Sequence, residues 1–167
     1  MGQFTLFTYV RPFLEESAHI SVSNLSIILL LMGLAGFVGT LLIGNTLKTT
    51  VYPTLVTVPL IMMGLAILLI VSGKSVLLVA LILTAWGFFS TSAPVGWWTW
   101  LARTLPHDAE AGGGLMVAVV QLAITLGATS GGILFDMIGY QATFGASAII
   151  LAGATIAAVG TARLSRH

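Results

Sequence analysis

Ser90-Thr91-Ser92, followed by Pro94, is the stretch of this chain where side chains and backbone could act on a ligand together. Proline lacks an N–H and its ring clashes with the carbonyl four residues earlier, so Pro94 leaves the Ser90 carbonyl without a helical donor. Eleven residues separate Trp86 from Trp97, close to three helical turns, which puts both indoles on one face with the hydroxyls between them in height. Such a face could stack a flat ligand and orient it. Gln121 heads a stripe continued by Thr125, Thr129 and Gly132 at near-i,i+4 spacing, and its amide brings both a donor and an acceptor. Gln3, Thr5 and Tyr9 add a third polar set. The chemistry on offer is recognition: no nucleophile–base pair accompanies these groups, so an enzyme is not expected.

Each group also has a packing reading. Ser and Thr can tie back to their own helix, Pro94 can simply bend it, Gln121 can join two helices, and tryptophans can face lipid. Trp98 and Trp100, within one turn of Arg103, read as an aromatic belt. Gly36-Thr40-Gly44, Gly127-Gly131 and Gly153-Ala157 are small-residue ridges that let helices approach closely.

The elements that must carry these groups follow from composition. At 57% hydrophobic and 7% charged residues, the chain cannot present enough polar surface for an ordinary soluble monomer and belongs in a lipid bilayer. A span needs about 20 apolar residues. The intervals between charges give five, over 23–47, 51–72, 76–101, 113–135 and 141–161, joined by short links into antiparallel neighbours. These runs are continuous, which indicates helices and not barrel strands. A half-span over 1–12 precedes them. Its ten residues before Arg11 cover only ~15 Å, placing Met1 near the bilayer midplane. Either the earlier half of that helix is missing from the chain or a short terminus lies in the interface, and span length favours the first. The expected fold is thus an all-α integral membrane domain over residues 1–167, five full spans plus a half-span.

Charge completes the reading. Lys48, Arg103, Arg163 and Arg166 fall on one side, Arg11 and Lys74 on the other, which favours a cytoplasmic carboxy terminus. A net charge of +1 excludes nucleic-acid binding, which needs a clustered basic field. There is no cysteine, and His19, His107 and His167 lie far apart, so neither a metal site nor a cofactor is expected. Asp108 and Glu110 suit the positive start of a helix, Glu15 and Glu16 an outer link, and Asp136 a helix end. No carboxylate lies in mid-span, where a proton-coupled pump needs a titrating group.

The segments GQFTLFTYVRPFLE (2–15), PVGWWTWLARTLPHDAEAGGGLMVAVVQLAITLGATSGGILFD (94–136) and IGYQATF (138–144) resemble the carboxy-terminal half of a major facilitator superfamily transporter. The likeness is strongest to the drug:proton antiporter branch, nearest its purine ribonucleoside efflux pumps. It implies a six-helix half with a truncated first helix, from mid-helix seven to helix twelve of a twelve-helix fold. It implies proton-coupled efflux of a small solute from an inner membrane, with the coupling carboxylate in an amino-terminal half. It also implies Gln3, Thr5, Tyr9, Trp86, Ser90, Thr91, Trp97 and Gln121 as cavity residues. The competing expectation is a non-transporting fragment or assembly partner that an amino-terminal half completes in trans, since alternating access needs both halves.

Overall fold

A computed structural model describes residues 1–17, 20–48, 50–72, 75–106 and 108–164. His19, Lys74, His107, Arg166 and His167, which entered the metal and orientation arguments, lie outside the described residues. The described chain is helical without strands: α1 Gly2–Phe7, α2 Val10–Pro12, a π-helical turn Phe13–Ser17, α3 Val22–Leu47, α4 Val51–Val71, α5 Val76–Thr104, α6 Ala109–Ile138 and α7 Tyr140–Leu164. Five of these helices are long and apolar enough to cross a membrane. The molecule is an all-α helical membrane bundle.

The amino-terminal segment departs from the single short helix expected over 1–12. It breaks between Thr8 and Tyr9, and Tyr9 leaves helical geometry at φ −106°, ψ 10°. Pro12 explains the break, because its ring would meet the Thr8 carbonyl in a continuous helix. Arg11 of α2 pairs at 2.9 Å with Glu15 of the π-helical turn, so Glu15 lies in a helical element and not in a free link. Phe13 is buried in an aromatic cluster with Tyr140 and Phe144, ring centroids 4.9 and 5.0 Å away, and this anchors the turn to the start of α7.

Packing does not follow chain order. The α3–α4 link is short, yet α3 packs chiefly on α5, and α4 on α7 and α5. Glycine sets this choice. A side chain at Gly39 would run into the Phe88 carbonyl, and one at Gly87 into the Met32 carbonyl, so the two backbones are in contact. Thr91 Oγ1 crosses the same seam to the Gly36 carbonyl at 2.8 Å. Buried Met32, Met62, Leu69, Leu83 and Trp86 form the core beneath it.

The Gly127-Gly131 ridge seats α1: a Cβ at either would lie 2.7 Å from the Met1 or Thr5 carbonyl. Apart from these two glycines, no residue of α6 is buried among those described, so it is the most open of the long helices. A single residue joins α6 to α7. Gly139 takes φ +106°, a region that favours glycine, and its N–H reaches the Leu134 carbonyl at 3.1 Å.

Candidate functional site

The Pro94 bend is where polar groups and open space meet. With no N–H at residue 94, the Ser90 carbonyl turns to a different helix and accepts from Gln3 Nε2 at 3.2 Å. The polar handle expected from the proline is therefore present, and α1 satisfies it.

Beside that bond lies a recess of about 270 Å³ lined by Gln3 and Phe4 of α1, Ala93, Pro94, Trp97 and Trp98 of α5, and Met116, Val120 and Gln121 of α6. A second recess of about 470 Å³ shares Gln3, Ala93 and Trp97 and continues between α4 and α7 past Pro59, Met62 and Ala154. Among the described residues no charged side chain lines either one, and Met1, which carries the amino group of the chain, borders both. The walls are mainly apolar and aromatic, with two carboxamides as the polar side-chain points. That is a composition suited to an uncharged solute with one flat apolar face and a hydrogen-bonding edge.

The eight residues expected at a cavity separate into groups. Gln3, Trp97 and Gln121 line the first recess. Trp97 is 41% exposed. Gln121 makes no side-chain hydrogen bond within the described structure, while its carbonyl accepts from Thr125. Trp86 does not share the recess with Trp97: it is fully buried in the core, and its Nε1 has no partner. Trp86 packs instead into the core cluster with Met32, Met62 and Leu83.

The other four are engaged in packing. Thr5 is fully buried and donates to the Met1 carbonyl at 3.2 Å. Tyr9 donates to the Ala128 carbonyl at 2.8 Å and stacks on Phe135 with centroids 5.4 Å apart. Ser90 Oγ returns to the Gly87 carbonyl at 3.1 Å, and Thr91 holds Gly36. Thr143 and Ser147 of α7, not singled out in the sequence, join the same lattice by donating to the Gly131 and Gly2 carbonyls at 3.1 and 2.8 Å. Both are fully buried. Their signal was weak, since hydroxyls in a helix ordinarily bond within it. Trp98 and Phe4 also belong to the recess, although Trp98 reads from sequence as an interfacial belt residue.

At the helix ends, Asp108 occupies the N-cap position of α6 without a side-chain capping bond, and Glu110 stands in its first turn. Among the described residues, Asp136 forms no ion pair, and no cluster of His, Asp and Glu could hold a metal.

Comparison with known proteins places this geometry in context. The chain is 55% identical over 163 residues to "Transcription regulatory protein OpdE" of Pseudomonas aeruginosa, covering 98% of this chain and 40% of that protein. It is 42% identical over 138 residues to "Purine ribonucleoside efflux pump NepI" of Salmonella paratyphi B, covering 83% of this chain and 35% of the pump. The pump of the same name from Shigella sonnei is 41% identical over the same length. The chain thus spans 40% or less of the relatives it matches. No protein-family model and no solved structure matches it. Five membrane-length apolar helices and this similarity to an efflux pump describe a multi-pass membrane chain of transporter-like build.

Proposed function

We propose that the chain forms the carboxy-terminal half of a major facilitator superfamily transporter, one that exports a small solute such as a purine nucleoside or drug-like compound across the inner membrane in exchange for protons. The observation that carries this reading is the recess beside Pro94, where Gln3, Trp97 and Gln121 meet without a charged side chain among the described residues. In this account Trp97 stacks on the flat face of the solute and the Gln121 amide meets its polar edge. With the solute bound, the apolar walls lower the local dielectric, which strengthens that hydrogen bond. Gln3, held by the Ser90 carbonyl, positions α1 against the bend. The carboxy terminus lies in the cytoplasm, and no bond is made or broken in the solute.

Transport needs a second half to rock against this one. The open flank of α6 is where that half docks in this account, and the proton-binding carboxylate sits on it. The names of the Salmonella and Shigella relatives support the solute class.

A second reading, a non-transporting membrane partner, draws on the relative named a transcription regulatory protein, which matches nearly the entire chain. Direct DNA contact does not suit a chain with net charge +1 and no basic cluster.

The test is export of a labelled purine nucleoside from cells making this chain alone or with the amino-terminal half of the Salmonella pump. Export that needs both polypeptides and stops when the proton gradient is collapsed supports the transporter. No export from a stable pair of halves favours the second reading.

A further inference from the structure

We infer that the end of the bundle where α4 begins and α5 finishes is a phospholipid site, with Arg103 holding the headgroup phosphate and the groove between α5 and α6 holding an acyl chain. This inference does not rest on the solute reading, although its acyl groove shares Trp97, Met116 and Val120 with the first recess. A cavity of about 310 Å³ is walled by the first turn of α4 through Val51, Tyr52 and Pro53, and by Trp100, Arg103 and Thr104 of α5. Arg103 Nη2 donates to the Leu47 and Lys48 carbonyls at 2.9 and 3.2 Å, which fixes the guanidinium, while Nε and Nη1 have no intramolecular partner among the described residues. Nor does any described carboxylate pair with it, since the one ion pair found is Arg11–Glu15.

The other polar side chains of the cavity are Tyr52 and Thr104, whose Oγ1 donates to the Trp100 carbonyl at 2.8 Å, while the enclosed Trp100 Nε1 does not open onto it. Tyr52 brings a phenol, and the amino-terminal end of α4 adds partial positive charge. An arginine without a carboxylate partner, beside a phenol and a helix start, suits an anion with several acceptor oxygens.

What makes the anion a lipid is the adjoining space. Trp100 also borders a second cavity of about 490 Å³, whose wall is otherwise apolar and includes Leu101, Leu105, Leu115, Val119 and Val120. A polar compartment joined to an apolar one across a single tryptophan has the shape and chemistry of a headgroup followed by a chain. Tryptophan and arginine at a helix end also mark the depth at which headgroups lie.

The experiment is native mass spectrometry of the intact chain in detergent, with equal amounts of phosphatidylglycerol and phosphatidylcholine, repeated with excess inorganic phosphate. Preferential retention of one phosphatidylglycerol is expected. Arg103→Gln should lower that retention about fivefold, the scale of one basic side chain at an anionic membrane surface. Val119→Phe, which fills the apolar cavity and leaves the arginine in place, should lower it too, so the inference remains testable if the arginine variant does not fold. Equal retention of the two lipids, or variants without effect, would overturn the site. Displacement of lipid by inorganic phosphate alone would reassign it to a soluble anion.

Discussion

Gln3 Nε2 donates at 3.2 Å to the carbonyl of Ser90, the acceptor that Pro94 removes from the hydrogen-bond ladder of α5. One bond therefore satisfies the bend and ties the amino-terminal segment to it. Replacing Gln3 with Leu should lower stability by about 0.6–1.5 kcal/mol, read as the detergent-denaturation midpoint of the chain. In a Pro94→Ala background the backbone N–H returns and the Ser90 carbonyl regains its helical donor. The Gln3→Leu effect should then shrink. Strict additivity of the two substitutions would show that the bond is incidental.

The α3–α5 seam makes a sharper structural claim. A Cβ at Gly87 would stand 2.7 Å from Met32 Cγ and closer still to the Met32 carbonyl, whereas one at Gly33 meets open space. Gly87→Ala should destabilise by about 1–3 kcal/mol through overpacking. Gly33→Ala should be neutral or stabilise by up to about 1 kcal/mol, since alanine is the better helix former. Equal effects of the two substitutions in a thermal-unfolding series would contradict backbone contact at the seam.

Trp86 and Trp97 test the division between core and recess. Trp86 is fully buried, so Trp86→Ala should cost about 3–5 kcal/mol of stability. Trp97 is 41% exposed and borders the recess. Trp97→Ala should leave the unfolding midpoint nearly unchanged while lowering solute export about tenfold in the two-half assay, on the scale of lost aromatic stacking. A Trp97 variant that unfolds as readily as the Trp86 variant, with normal export where folded, would assign Trp97 to packing.

Much of the fold was legible because hydropathy and charge act over whole segments: uninterrupted apolar runs and the residues that end them mark helices without reference to partners. The free Ser90 carbonyl was legible for the same reason, since Pro94 creates it locally. Which side chain would satisfy it was not, because Gln3 is 87 positions away in the chain. The site was harder still. The resemblance implies Tyr9 and Thr91 as cavity groups, and which backbone carbonyl on a neighbouring helix each donates to could not be read from the sequence. Helix pairing was likewise hidden, since the close approaches at Gly39 and Gly87 that join α3 to α5 depend on the opposing backbone.

The chain contains no cysteine, which permits the most direct test of the proposed solute path. Gln121→Cys, introduced as the sole cysteine and paired with a cysteine-free amino-terminal half, would be labelled by a membrane-impermeant maleimide with and without a purine nucleoside. The account predicts labelling from the aqueous phase and clear protection by the nucleoside. Absence of labelling, or labelling that the nucleoside leaves unchanged while the same pair exports it, would contradict a solute site at Gln121.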